Sequence, residues 1–345
     1  MSRIPQLDGL RASAISMVFC THALHVPLLW MGVDLFFVLS GYLITRILLG
    51  LKQNRDDGYW QPFYARRVLR ILPPLAGFLI AASFMSAIPW ARIWYWYAFF
   101  GANVAQSFGM SHVASLSPLW SLGVEEQFYL IWPVIVLFCS TKRLKAIALT
   151  IVFVSPCLRA VATPLFSNHF PIYYLTIFRA DTICMGAFVA ASETLDSEWV
   201  LWHRQSALRF SGCALIVFVT LSFLSNFRTS ANSVLFNSLG YSMSTIFFGG
   251  VLVYVLGRRA GVDIKILTFG PVRYLGRISY TFYLWHVAVL VELGRFFHSQ
   301  TATAMVGFVL TTALAAISWQ FVERPLLHRG AQFRSKQPRE LAAAA

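Results

Sequence analysis

The sequence predicts an all-α polytopic membrane protein with about ten transmembrane helices and both termini in the cytoplasm. Three observations carry this reading. Of the 345 residues, 57% are hydrophobic and only 12% charged, whereas an ordinary soluble domain is about one-quarter charged. Apolar runs long enough to cross a bilayer recur along the whole length, and mean hydropathy is +0.63. The basic residues behind the net charge of +14 lie between those runs, which suits membrane orientation rather than nucleic-acid binding.

The apolar runs place helices over residues 9–27, 32–51, 71–89, 119–140, 144–163, 172–192, 207–226, 234–256, 275–296 and 302–324. The first is read as a retained helix, because Asp8, Arg11 and His22 interrupt the apolar core a signal peptide needs. Residues 90–118 hold Trp90, Trp94, Tyr95, Trp96, Tyr97 and Phe99 and then turn polar, which predicts a partly embedded interfacial loop. One set of alternate loops carries Arg3, Lys52, Arg55, Arg66, Arg67, Arg70, Lys142, Arg143, Lys145, Arg204, Arg209, Arg258, Arg259, Lys265, Arg273 and Arg277, and the C-terminal Arg329, Arg334, Lys336 and Arg339. The other set has little beyond Arg92, Arg159 and Arg228. The basic set is therefore cytoplasmic, and an even number of spans follows. Residues 1–328 read as one transmembrane domain and 329–345 as a short, basic, disordered tail. The five cysteines form no CxxC pair and read as packing residues.

Ionisable groups inside a bilayer are costly, so each is a candidate for function. His22 lies roughly three turns beyond Arg11 on the same face of the first helix, too far to touch it. Glu125 and Glu126 on the fourth predicted helix, Arg179 and Asp181 on the sixth and His286 on the ninth fall in the same layer as His22, with Asp34, Ser40 and Tyr42 on the second. This predicts a buried polar site centred on His22. Each residue also has a plainer reading: a packed histidine, an Asp34 that caps its helix, an Arg179–Asp181 pair that neutralises itself. The stretch from Phe63 to Pro73, with Tyr64, Arg66, Arg67 and Arg70, is either a topology signal or a polyphosphate site next to Arg11.

Several stretches taken together resemble the bacterial membrane acyltransferase-3 family, which O-acylates sugars and related acceptors. They are Leu7-Asp8-Gly9-Leu10-Arg11-Ala12 with His22 following, Gly32 to Ile44 with Asp34, Ser40 and Tyr42, and Arg66-Arg67-xx-Arg70-xx-Pro73. Leu119 to Tyr129, with Ser121, Glu125, Glu126 and Gln127, Phe178-Arg179-x-Asp181, and Ile278 to His286 complete the set. Their common order from residue 7 to 286 makes the resemblance specific and nearly chain-long.

The resemblance implies ten transmembrane helices, an acyl-CoA donor (acetyl-CoA first) reached from the cytoplasm, and a carbohydrate or glycolipid acceptor reached from the membrane or the far side. Some relatives carry a further extracytoplasmic hydrolase-like domain; with residues 325–345 alone following the last predicted span, none is expected here. No metal is expected, and nothing indicates an oligomer. The essential histidine of the family falls on His22. On this reading His22 is a general base or an acyl carrier, oriented by Asp34 or Glu125. Arg11, Arg66, Arg67 and Arg70, with Tyr64, hold coenzyme A, and Arg179, positioned by Asp181, stabilises the oxyanion. A proton-coupled transporter using the same midplane groups is the competing reading.

Overall fold

The computed structural model describes residues 4–53, 58–227 and 232–327. Arg3, Arg55, Arg228 and the basic tail from residue 329 lie outside these. Among the described residues the chain is helical throughout, without strands. Its α-helices are α1 (Pro5–Leu24), α2 (Gly32–Gln53), α3 (Trp60–Met85), α4 (Trp90–Ala98), α5 (Ala102–Ser107), α6 (Leu119–Phe138) and α7 (Thr141–Ala162). They continue as α8 (Phe170–Tyr174), α9 (Thr176–Leu195), α10 (Trp199–Leu224), α11 (Tyr241–Leu256), α12 (Val262–Thr268), α13 (Gly270–Leu293) and α14 (Gln300–Ser318).

Each predicted span corresponds to one long helix. Eight of these, α1 and α13 being the exceptions, are long and apolar enough to cross a membrane. α1 and α13 have 20 and 24 residues but carry Asp8, Arg11 and His22, and Arg273, Arg277, His286 and Glu292. They pack on each other closely enough that a Cβ at Gly276 would lie 1.8 Å from the Asp8 carbonyl oxygen. α3 begins well before residue 71, because the arginine-rich stretch from Phe63 continues the helix rather than forming a loop. The 90–118 segment is likewise not a plain loop. It folds into α4 and α5, with Tyr97 and Asn103 buried.

The surface carries large apolar side chains in the open, including Phe84 (88% exposed), Phe138 (77%) and Phe223 (66%). α3, α7, α10 and α14 are the most exposed of the eight spans, and α2 and α9 the most buried. This is a multi-pass membrane protein, with lipid-facing helices around an inner pair.

Lipid tails are as apolar as leucine, so helices in a bilayer associate through close backbone approach and polar contacts. The α2–α9 seam uses both. Asp34, Val38 and Gly41 of α2 face Arg179, Ile183 and Gly186 of α9. A Cβ at Gly41 would sit 1.8 Å from the Ile183 carbonyl oxygen, and one at Gly186 would sit 1.9 Å from that of Val38. At the end of the seam Arg179 Nη2 pairs with Asp34 Oδ1, and Ser244 of α11 donates to Asp34 Oδ2 at 2.6 Å. One turn away Arg159 Nη2 of α7 pairs with Asp181 Oδ2 at 2.8 Å and reaches Ser242 Oγ at 2.7 Å, while its Nη1 donates to the Phe178 carbonyl at 2.6 Å. All four charged side chains are at most 1% exposed.

This cluster corrects three expectations. Arg159 is not an outer-loop charge but a buried residue of α7. Asp181 serves Arg159, so it does not position Arg179. Asp34 neutralises Arg179 instead of orienting His22 or capping α2; its place in the first turn of α2 adds favourable interaction with that helix's dipole.

Two predictions follow from this packing. Gly186→Ala should destabilise the protein by about 3 kcal/mol, the upper part of the range for overpacking, and lower the unfolding temperature in detergent. Gly77→Ala, in the interior of α3 with nothing within 4 Å of the added Cβ, should leave stability unchanged or raise it, by at most about 1 kcal/mol of helix propensity. Arg159→Leu should cost about 3–5 kcal/mol, because it strands Asp181 as an uncompensated buried charge. The double variant Arg159→Leu/Asp181→Leu should recover most of that loss, read as the monodisperse fraction in size-exclusion chromatography.

Candidate active site: two chambers sharing one tyrosine

α1, α2, α3, α6 and α13 enclose a chamber of about 110 Å³. Arg11 enters it from α1, Ser40 from α2, Arg67 and Arg70 from α3, Ser121, Glu125 and Tyr129 from α6, and Tyr280 and Tyr283 from α13. The three arginines come together because residues 67 and 70 are one turn apart on α3 and face Arg11 on α1. Their side chains are braced rather than freely swinging. The Arg67 guanidinium lies over the Tyr129 ring, 4.2 Å from its centroid. Tyr129 in turn shares a short hydroxyl contact with Ser40. Glu125 lies within electrostatic reach of Arg67, Arg11 and Arg70. The chamber thus carries three cations against one carboxylate, a surplus suited to a polyanion.

A second chamber, of about 130 Å³, is lined by Val18, Thr21 and His22 of α1, by Trp30 and Val33, by Ser117, Pro118 and Trp120, by Tyr173 and Tyr174 of α8, and by Tyr283. Val33 and Tyr283 line both chambers. The Tyr283 hydroxyl bonds the Pro118 carbonyl at 3.1 Å and Ser121 Oγ at 2.7 Å, and its ring meets those of Phe36 and His286.

His22 lines the second chamber and is accessible from it. Its partner is neither Asp34 nor Glu125. Asp34 is occupied by Arg179 and Ser244, and Glu125 lines the first chamber, whereas His22 lines the second. The partner is His286, fully buried on α13, whose Nε2 lies 3.2 Å from His22 Nδ1. The hydrogen bonds fix both neutral tautomers. His286 Nδ1 is 2.6 Å from the Tyr283 carbonyl, which can only accept, so Nδ1 carries the proton and Nε2 the lone pair. His22 Nδ1 is 3.0 Å from the Val18 carbonyl, so it too carries its proton and shares it with His286 Nε2. The basic nitrogen of His22 is therefore Nε2.

The remaining predicted residues divide. Arg179 and Asp181 line neither chamber and belong to the ion cluster. Arg66 donates Nε to the Pro62 carbonyl at 2.7 Å and does not line the arginine chamber. Tyr64 donates to the Tyr129 carbonyl at 3.2 Å and so ties α3 to α6. Tyr42 donates to Glu193 at 2.7 Å and accepts from Arg46 at 3.0 Å, away from both chambers. Gln127 bonds Asn103 Oδ1 at 2.9 Å, joining α5 to α6. Glu126 has a buried oxygen, Oε1, without a hydrogen-bond partner. Asp8 faces Arg277 at 3.9 Å.

Sequence reasoning missed Arg159, because it sits near a helix end that reads as a loop. It also missed Thr21, Trp30, Trp120, Tyr173, Tyr174 and Tyr283 as chamber walls. Trp120 and Tyr283 lie inside the recognised stretches, but an aromatic side chain on an apolar helix reads as core or lipid-facing, and only the fold shows a cavity beside it.

Residues 4–320 match the family model described as an acyltransferase domain. The chain is 29% identical to the putative peptidoglycan O-acetyltransferase YrhL of Bacillus subtilis (strain 168), over 96% of this chain and 56% of that protein. It is 29% identical to the peptidoglycan O-acetyltransferase OatA of Listeria monocytogenes, over 95% and 56%. Against the O-acetyltransferase OatA of Staphylococcus aureus it is 25% identical, over 95% and 58%. The chain thus spans somewhat over half the length of these curated relatives. No solved structure matches it. A match that begins at the N-cap of α1 and ends beyond α14 takes in every wall of both chambers, and the chain belongs to the membrane acyltransferase-3 family.

Proposed function

We propose that this chain transfers an acetyl group from acetyl-CoA to a hydroxyl of a sugar-containing cell-envelope acceptor, peptidoglycan being the acceptor named in two of the relatives. The observation that best supports this is the arrangement of the chambers. A space with three arginines backs onto a space with a basic histidine, and Val33 and Tyr283 are common to both. The membership of an acyltransferase family favours transfer over the transporter reading. In the same reading α1 and α13 cross the inner membrane as a pair, giving ten spans with both termini cytoplasmic, and the arginine chamber opens inward.

Arg11, Arg67 and Arg70 hold the coenzyme A phosphates, for which a planar guanidinium fork is suited. Arg66 and Tyr64 support that wall from outside it. The pantetheine arm then directs the thioester toward Tyr283. His22 Nε2 accepts the proton of the acceptor hydroxyl as its oxygen bonds the thioester carbonyl carbon. The C–S bond breaks, and the leaving thiolate takes that proton back from His22, giving the ester and free coenzyme A. Turned away from the Pro118 carbonyl and from each other, the Ser121 and Tyr283 hydroxyls take the oxyanion role expected of Arg179. An acyl-histidine route uses the same lone pair, with Nε2 attacking the carbonyl first.

His22→Ala should lower acetyl transfer by about 10²–10⁴-fold while acetyl-CoA binding in lipid nanodiscs is unchanged. Transfer at the wild-type rate by a properly inserted variant would remove His22 from the chemistry. Labelled protein after rapid quench with radioactive acetyl-CoA would select the acyl-histidine route. Arg67→Ala and Arg70→Ala should each weaken acetyl-CoA binding by about tenfold or more, the range of a charge-assisted hydrogen bond, and raise its KM accordingly. His286→Gln should lower kcat by at least about tenfold through loss of the fixed tautomer, alter the pH–rate profile, and leave the affinity for acetyl-CoA as it was.

A further inference from the structure

The second chamber has a character of its own, separate from the arginine chamber. Trp30, Trp120, Tyr173 and Tyr174 wall it together with Tyr283 of the partition. Trp120 lies 4.8 Å from Tyr173 and 5.0 Å from Tyr174 by ring centroids, and Trp30 lies 5.7 Å from Tyr173. The Trp120 pairs are tilted by 46° and 49° and the Trp30 pair by 79°, so these rings form a cradle rather than one stack. No arginine, lysine, aspartate or glutamate lines it, and its polar contributions come from Thr21, His22, Ser117 and the tyrosines.

Two observations separate this from ordinary core packing. Aromatic cores close on themselves at crystal-like density, yet about 130 Å³ stays open here. That is room for roughly ten water-sized spheres and so for one pyranose ring. The indole N–H of Trp30 is also buried without a hydrogen-bond partner. Such a donor is costly to leave unpaired, and a buried tryptophan N–H usually has an acceptor. A neutral cradle of aromatic faces with hydroxyl and indole donors matches a sugar, which presents C–H faces and a hydroxyl rim. It does not match the phosphates of coenzyme A.

We propose that the chamber bounded by Trp30, Trp120, Tyr173 and Tyr174 is a saccharide subsite, which seats one pyranose ring of the acceptor beside His22. This rests on the transfer reading above and adds to it where the acceptor binds and by what contacts. Trp120 and Tyr173 supply the stacking faces, and the Trp30 N–H donates to a ring substituent.

The test measures two equilibria on the full chain in lipid nanodiscs: binding of a β-1,4-linked N-acetylglucosamine disaccharide and binding of coenzyme A. Trp120→Leu should weaken disaccharide binding by about tenfold or more. Trp30→Phe, which keeps the ring and removes the donor, should weaken it by about fivefold. Coenzyme A affinity should stay within about twofold of wild type in both, and this also reports an intact fold. The proposal is overturned if the wild type does not bind the disaccharide, or if Trp30→Phe binds it as the wild type does. It is also overturned if coenzyme A affinity falls in step with disaccharide affinity in Trp30→Phe, since the cradle would then serve the donor. Trp30→Phe decides the matter should Trp120→Leu fail to fold. No acetyl transfer by the wild-type chain alongside these disaccharide losses would sink the transfer reading and spare the subsite. Full loss of transfer in His22→Ala with disaccharide binding untouched by Trp30→Phe would do the reverse.

Discussion

Asp34 and Arg179 meet where no water reaches either, and their pairing sets the rotation of α2 about its own axis. A helix cannot turn one face without turning all of them. With Asp34, Val38 and Gly41 against α9, the residues at the complementary spacing, Val33, Phe36, Phe37 and Ser40, face the chambers. Val33 thereby lands in the partition and Ser40 against Tyr129. Gly41 and Gly186 bring the two backbones close enough for the ion pair to form, and the ion pair makes that approach specific rather than a sliding contact between apolar surfaces. Arg159 and Asp181 repeat the device toward α7 and α11, so the four charges cancel locally and the cluster adds no net charge to the apolar interior.

The ten long helices were legible because an apolar run of bilayer length leaves little choice of structure. The 90–118 segment was not, because α4 and α5 are too short to show a clear period and their aromatic residues read equally well as an interfacial loop. Helical rise alone groups His22, His286, Glu125, Asp34 and Arg179 in one predicted layer. Depth carries no information about azimuth. Asp34 faces α9, Glu125 faces the arginines, and His286 is the one whose ring meets His22. Arg159 failed for a related reason. Three residues from the end of α7 it reads as a loop charge, and only the position of α9 beside it reveals an acidic partner.

A membrane enzyme that draws an activated thioester from one side and an acceptor from the other has to keep water from the thioester. Two chambers with one shared wall do this better than a single continuous passage, because each ligand is desolvated in a space matched to its own charge. The arginine chamber carries a cationic surplus, and the aromatic chamber has no Arg, Lys, Asp or Glu in its lining. Glu125, on the arginine side, offsets part of the cationic surplus of Arg67, Arg11 and Arg70.

The two residues of the shared wall are held very differently. Val33 belongs to α2, whose rotation the Asp34–Arg179 pair and the Gly41–Ile183 approach both fix, so it cannot leave the partition without moving the inner helix pair. Tyr283 is held by its hydroxyl, through Pro118 and Ser121, and by edge contacts of its ring. Two such hydrogen bonds are worth about 1–3 kcal/mol together, well within what a bound substrate can supply. On the transfer reading the chambers must communicate for the thioester to meet the acceptor oxygen. The side chain of Tyr283 is then the part of the wall that yields. Because the Tyr283 carbonyl also anchors His286, and His286 fixes the tautomer of His22, the same residue links the state of the partition to the orientation of the base.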